Sequence, residues 1–218
     1  IGWQRLEREV MDPTDPHRIK NQKAAHKFAG VLGQNPKQLR TVAEVYNPNR
    51  FGDRAKRFQL HPGQAFDLTL GHDLLKADMQ AEVVQYLDFM RPGLVVISPP
   101  CTLFTPLQNL NKNRKYQIFL KRLRFARKLL RFSAKVAEKV MSYGGQFVLE
   151  HPLTSTAWLE NELQQLMADD RVILVACDQC MFDLRSTSGN LHKKPTGFIT
   201  TSPEIATELD QRCDRSHQ

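Results

Sequence analysis

Cys101 and Glu150 are the two residues whose types and spacing suit covalent chemistry on a planar ring. Cys101 follows the run Leu94-Val95-Val96-Ile97 and the tripeptide Ser98-Pro99-Pro100. A short, β-branched apolar run of this kind has the character of a fully buried strand, and Ser-Pro-Pro ends it abruptly. Two prolines fix φ and remove backbone donors, so the thiol sits on a stiff loop just past the strand's carboxyl end. That edge of an open α/β sheet is where ligands bind. Glu150 closes a second such run, Gln146-Phe147-Val148-Leu149, one helix further along. A thiol and a carboxylate on adjacent strands can face one substrate. The sulfur would attack an electron-poor ring, and the carboxyl group would hydrogen-bond that ring and draw electrons from the attacked carbon. Each residue also has a plainer reading, a buried structural cysteine and a turn glutamate ahead of His151-Pro152.

The elements that must position them alternate between strand and helix. Strands are expected at Thr41–Tyr46, Gly63–Asp67, Leu94–Ile97, Gln146–Glu150, Val172–Ala176 and Gly197–Thr201. Helices are expected over Phe51–Gln59, Ala77–Met90, Lys112–Met141 and Trp158–Met167, with Leu70–Leu75 a loop or a short strand. Such alternation specifies an α/β fold with a mainly parallel sheet and helices on both faces. Glu44, Asp67 and Asp73 then lie toward the other side of the strand edge that carries Cys101. Residues 1–40 form a basic amino-terminal extension, broken by Asp12-Pro13 and Asp15-Pro16, and residues 41–218 form the α/β domain.

The 218 residues carry a formal charge of +8, which favours a polyanionic partner. Cations crowd the long helix: Lys121, Arg122, Arg124, Arg127, Lys128, Arg131, Lys135 and Lys139 stand in it, with Glu138 the only acid. A solvated face normally mixes signs, so this one suggests a surface that meets phosphate, with Lys121, Arg124, Lys128, Arg131 and Lys135 as the contacts. The chain has no 18-residue apolar run and no signal-peptide pattern, which reads as no membrane span and an intracellular protein. Four unevenly spaced cysteines do not make a secreted disulfide framework. Cys177 and Cys180 (C-x2-C) with Cys213 and His217 (C-x3-H) have the ligand types of a tetrahedral zinc site that would staple residues 177–218, the alternative being buried free thiols. Ile1 in place of a methionine reads as a piece of a longer polyprotein.

Ser98-Pro99-Pro100-Cys101-Thr102, followed by Glu150-His151-Pro152, resembles the Pro-Cys and Glu-Asn-Val/Pro motifs of the cytosine-5 DNA methyltransferases. The runs SPPCTLFTPLQNLN, EHP, CDQCMFDL and KKPTGFITTS are more narrowly similar to divergent methyltransferase-like domains of retroelements and related mobile or viral genomes. The resemblance spans about Thr41 to Thr201. It implies a Rossmann-like class I methyltransferase fold and S-adenosylmethionine as cofactor. It also implies DNA, or alternatively RNA, as partner, with a nuclear location in a eukaryotic host and a cytoplasmic one otherwise. Cys101 would add to carbon 6 of a cytosine taken out of the stack, and Glu150 would contact the N3 and amino edge. Lys194 and Thr196 would stand for the late arginine-bearing motif. The cofactor would meet Glu44, Tyr46 and Asn47, Asp67 at the ribose, Asp73 at the adenine, and Ser98 and Pro99. The chain departs from the family where Pro48, Asn49 and Arg50 replace a glycine-containing loop, His151 replaces Asn, and Asp183 replaces Gly. The family's target-recognition segment is not visible. The alternative function is a methyltransferase-like, nucleic-acid-binding module without catalysis. A third is a different cysteine enzyme in which His151 or His72 reaches Cys101.

Overall fold

The computed structural model describes residues 40–106, 108 and 116–215; the amino-terminal extension and His217 lie outside them. Six strands, β1 (Thr41–Val45), β2 (His61–Phe66), β3 (Leu94–Ile97), β4 (Gln146–Pro152), β5 (Ile173–Asp178) and β6 (Pro195–Thr200), form one sheet in the order β2-β1-β3-β4-β6-β5. β2, β1, β3 and β4 run parallel, whereas β6 is antiparallel to both β4 and β5. The protein is thus α/β with a mostly parallel, mixed sheet. All five residues of β1 are buried, as an inner parallel strand covered on two faces demands.

The helices are α1 (Gly52–Ala55), α2 (Ala77–Met90), α3 (Tyr116–Ser142), α4 (Asn161–Met167) and α5 (Pro203–Leu209). Val83 and Leu87 of α2, Leu130, Val136, Ala137 and Val140 of α3, and Leu163 and Leu166 of α4 share one core with Val95, Ile97, Phe147 and Leu149 of the sheet. The chain steps from β1 outward to β2, then back across β1 to β3. Right-handed crossovers therefore place α1 on one face and α2 to α4 on the other, and the reversal makes the β1–β3 boundary a topological switch point.

Several boundaries differ from the sequence expectation for local reasons. At Leu70–Leu75 no strand forms: Asp67 caps a 3-10 turn over Leu68–Leu70, and Gly71 closes it at φ 91°. The helix expected from Phe51 to Gln59 is α1 followed by a 3-10 turn over Lys56–Phe58, stopped by left-handed Gln59. The helix expected from Trp158 divides into a 3-10 turn at Thr156–Leu159 and α4. β4 runs on to Pro152 because β6 offers partners to His151 and Pro152. Helix α5 was not anticipated, although Ser202-Pro203 is a start signal: the Ser202 hydroxyl accepts from Ile205 N.

Among the described residues no helix is long and apolar enough to cross a membrane.

Candidate active site

Cys101 lies four residues beyond the end of β3, as the residue preceding a 3-10 turn over Thr102–Phe104, and its carbonyl accepts from Phe104 N at 2.9 Å. The turn is tied to the loop that follows β4. The Phe104 carbonyl accepts the hydroxyls of Ser155 at 3.3 Å and Thr156 at 3.2 Å. The Phe104 ring meets His151 edge-on at 5.8 Å, and His151 meets Trp158 at 5.9 Å. Trp158 packs against Gly197, where an added Cβ would lie 2.7 Å from its ring, so that position requires glycine. The loop bearing Cys101 and the strand bearing Glu150 thus form one connected unit. Ile97 pairs with Leu149, so Glu150 stands beside Ser98, one strand spacing (about 4.8 Å) away. Both Cys101 and Glu150 are partly exposed.

β6 reverses direction, so its first residues reach the edge where β4 and β5 end: Thr196 pairs with Pro152 on one side and with Cys177 on the other. This reversal assembles a polar cluster. Glu150 Oε1 accepts from Lys194 Nζ at 3.4 Å and from Gln179 Nε2 at 3.3 Å. Gln179 Nε2 also donates to Thr196 Oγ1 at 2.9 Å, and Thr196 Oγ1 donates to the Lys194 carbonyl at 3.1 Å. Three residues singled out from the sequence, Glu150, Lys194 and Thr196, are therefore brought together. Gln179 was missed. The available signal was its place just past the end of β5, at the sheet edge where a ligand would sit.

The histidine after Glu150 serves the interior. His151 is 1% exposed, and neither ring nitrogen has a hydrogen-bond partner among the described residues. Burial pushes its pKa from 6.5 down to about 4. His72 packs edge-on against Phe66 at 5.2 Å. No hydrogen bond joins either histidine to Cys101 among the described residues. The buried imidazole has a measurable consequence. A base whose folded pKa is depressed costs nothing above pH 6.5, but below it the unfolded chain takes up a proton that the folded chain refuses. Stability is expected to fall as pH drops from 6.5 toward 4, by up to about 3 kcal/mol. Denaturant titrations of the wild type and His151→Phe over that window check this; an unchanged pH slope in the variant would refute it.

At the other side of the edge, the residues expected to meet a cofactor divide into two groups. Glu44, 1% exposed, accepts from the backbone N–H groups of Arg50, Phe51 and Gly52 at 3.0, 3.0 and 2.8 Å. Its pKa is raised, chiefly by burial, against the lowering effect of those three donors. The Tyr46 hydroxyl donates to the Leu129 carbonyl of α3 at 2.9 Å, and burial lifts its pKa. Glu44 and Tyr46 therefore hold the loop after β1 in shape. Asn47 is buried in the same loop. Asp67 and Asp73 each spend Oδ1 on their own turns, at Thr69 N (2.8 Å) and Leu75 N (3.1 Å). No hydrogen bond engages their second oxygens among the described residues. Ser98 N donates to the Val45 carbonyl at 3.0 Å, and Pro99 is buried, at the β1–β3 switch point.

Cys177 is buried, which pushes its thiol up to about 12. Cys180 is raised by burial and by its hydrogen bond with Cys213. Among the described residues no three His, Cys, Asp or Glu side chains converge as a metal site, and His217 lies outside them. The carboxyl-terminal segment is fastened by Asp178, whose Oδ2 accepts from Cys213 N at 2.9 Å and Arg212 Nε at 3.1 Å.

The cations of α3 are less uniform than the sequence suggests. Arg127 pairs with Glu160 at 2.9 Å and Arg131 with Glu162 at 2.8 Å, while Lys139 pairs with Asp88 at 2.5 Å. Lys128 Nζ donates to the Leu75 carbonyl at 2.5 Å. Lys121, Arg124 and Lys135 remain on the exposed ridge. The first turns of the helix adjoin the site: a cavity of about 280 Å³ lies between Pro100, Thr102 and Leu103 and the Arg122, Phe125 and Ala126 face of α3.

Compared with protein-family models and with curated proteins, the chain matches none. The functional reading rests on the geometry above.

Proposed function

We propose that the protein is a cytosine-5 DNA methyltransferase-like enzyme of Rossmann-like class I type, with Cys101 as nucleophile and Glu150 as the group that holds the base. The observation that carries this is the meeting of Glu150, Lys194 and Thr196 at one sheet edge, on the strand next to the loop bearing Cys101. Glu150 Oε1 is held by two donors, and no hydrogen bond engages Oε2 among the described residues. One oxygen is thereby anchored and the other left for a base edge.

Cys101 acts as a thiolate. Its sulfur bonds to carbon 6 of the ring, and the electron pair of the 5,6 double bond moves onto carbon 5, the ring nitrogen and the exocyclic oxygen. Glu150 favours that movement in its carboxylic acid form, by donating its proton to N3, where the displaced charge accumulates, while an oxygen of the same group accepts from the amino group. When water or another base takes the carbon 5 proton, the C–H pair re-forms the 5,6 double bond, the S–C6 pair goes to sulfur to restore the thiolate, and the proton on N3 returns to Glu150. S-adenosylmethionine supplies the electrophilic methyl group when bound. The uncommitted oxygens of Asp67 and Asp73 suit the hydroxyl and amine donors of its nucleoside, and they lie near the switch point where α/β sheets bind ligands. Cytosine must leave the base stack to reach Cys101.

A second reading, a nucleic-acid-binding module without cofactor, draws on a separate observation. Three N–H groups of the loop after β1 are consumed by Glu44 rather than presented to a ligand. Calorimetric titration with S-adenosylmethionine, paired with transfer of labelled methyl to DNA, separates the two. Binding with transfer supports the enzyme, and salt-dependent DNA binding alone supports the module. The loss of both would end both readings.

The ridge of α3 yields a prediction under either. Lys121 and Lys135 are fourteen residues apart, roughly 21 Å along the axis, and only the amino-terminal end adjoins the site. Charge reversal at Lys121 or Arg124 is expected to weaken DNA binding by roughly tenfold at low salt and reduce the salt slope by about 1. Reversal at Lys135 is expected to do less. Fluorescence anisotropy across a salt series measures this, and equal effects at all three positions would contradict it.

A further inference from the structure

We infer that Gln179 is a positioning residue for Glu150, an inference that rests on the reading of Glu150 as the base-holding group. The hydrogen bonds around it form a closed circuit. The Lys194 carbonyl accepts from Thr196 Oγ1, Thr196 Oγ1 accepts from Gln179 Nε2, Gln179 Nε2 also donates to Glu150 Oε1, and Glu150 Oε1 accepts from Lys194 Nζ. The circuit starts and ends on one residue, so its members fix one another. It also fixes the orientation of the amide. The Thr196 hydroxyl proton goes to the Lys194 carbonyl, which leaves Thr196 Oγ1 to accept, and only the nitrogen of Gln179 can donate to it.

The interior around this amide is unusually costly for a residue with no function. Gln179 is 5% exposed and Thr196 is fully buried, yet Gln179 Oε1 has no hydrogen-bond partner among the described residues. A buried amide with one half unsatisfied destabilises the fold relative to an apolar side chain of the same shape. The other half holds a carboxylate oxygen at the site. Lys194 alone is a poorer anchor, because its side chain is 45% exposed and its ammonium ends a flexible stem. Gln179 comes from a short 3-10 turn at the end of β5 and is locked by packing, so it restrains Glu150 Oε1 and directs Oε2 outward.

Gln179→Met removes the amide while keeping length and volume. Three results are expected. The variant melts at or above the wild-type temperature, because an unsatisfied buried oxygen is gone and Thr196 keeps its bond to the Lys194 carbonyl. In its crystal structure the Glu150 carboxylate spreads over more than one rotamer, whereas in the wild type it takes one. The rate at which Cys101 forms an adduct with DNA containing 5-fluorocytosine, measured with S-adenosylmethionine at saturating DNA, falls on the order of 100-fold with unchanged DNA affinity. A residue that merely fills space would move the melting temperature and leave the rotamer and the rate alone. A lower melting temperature, failure to fold, or a single unchanged Glu150 rotamer overturns the inference. If the wild type itself forms no adduct, the methyltransferase reading falls, while the rotamer and the melt still decide the role of Gln179.

Discussion

Cys101→Ala is expected to abolish covalent capture of DNA carrying 5-fluorocytosine and to cut methyl transfer by about 10⁴-fold or more, the scale on which loss of a nucleophile is felt. Fluorine at carbon 5 cannot leave as a proton does, so elimination stalls and the protein stays attached through the S–C6 bond. The thiol is suited to this task in contrast to its neighbours. Cys101 is partly exposed on a proline-stiffened loop, whereas Cys177 and Cys180 are buried and hold their protons above the ordinary thiol range. The fold should not notice the change, since removing one sulfur from a partly exposed loop position falls among substitutions worth less than about 0.5 kcal/mol. Denaturing gels with labelled oligonucleotide, beside a thermal melt, give the two readouts. Capture that persists in Cys101→Ala, or that moves to Cys213, removes the thiol from the chemistry.

Much of the scaffold for this chemistry was legible before any coordinates, and the reason is periodicity. Leu94–Ile97 and Phe147–Leu149 are short continuous apolar runs, the character of a strand covered on both faces, and both lie in inner strands, β4 parallel to β3 and antiparallel to β6. Ala77–Met90 carries its apolar residues at helical spacing, and α2 has those bounds. Segments stabilised by one or two specific hydrogen bonds were harder to read. The turn at Leu68–Leu70 depends on a single Asp67 cap, and α5 depends on Ser202. The direction of β6 was not legible either, because residue pattern along a strand is indifferent to parallel or antiparallel pairing. That direction decides the site: with β6 parallel, Lys194 and Thr196 would lie at the far edge from Glu150. The neutral helix flanks were invisible for a related reason. Glu160 and Glu162 stand about thirty residues after the arginines they meet, and only packing of α4 against α3 brings them together.

The second large effect belongs to Glu150. Glu150→Gln preserves the shape of the side chain and keeps an oxygen for the Lys194 and Gln179 donors. An amide NH2 then occupies the outward position where a carboxylate oxygen stood. The anchored half of the group is unchanged, and the outward half loses the ability to transfer a proton. An amide NH2 can hydrogen-bond N3 but cannot protonate it, so the charge displaced by attack at carbon 6 is no longer neutralised. Adduct formation and methyl transfer are expected to fall by about 10²–10³-fold, within the range of acid–base and electrostatic contributions measured elsewhere. The side chain is 32% exposed, so the cost in stability should stay within about 0.5 kcal/mol. Single-turnover kinetics separate the step from binding: the maximal rate should drop while the DNA concentration at half-saturation moves little, because the proposed phosphate contacts, which would dominate affinity, are on α3 rather than at Glu150. Glu150→Ala should be slower still, since it also frees Lys194 and Gln179 from their acceptor. An amide variant that reacts at the wild-type rate would mean that the carboxylate is only a partner for Lys194, and the base must then be held elsewhere.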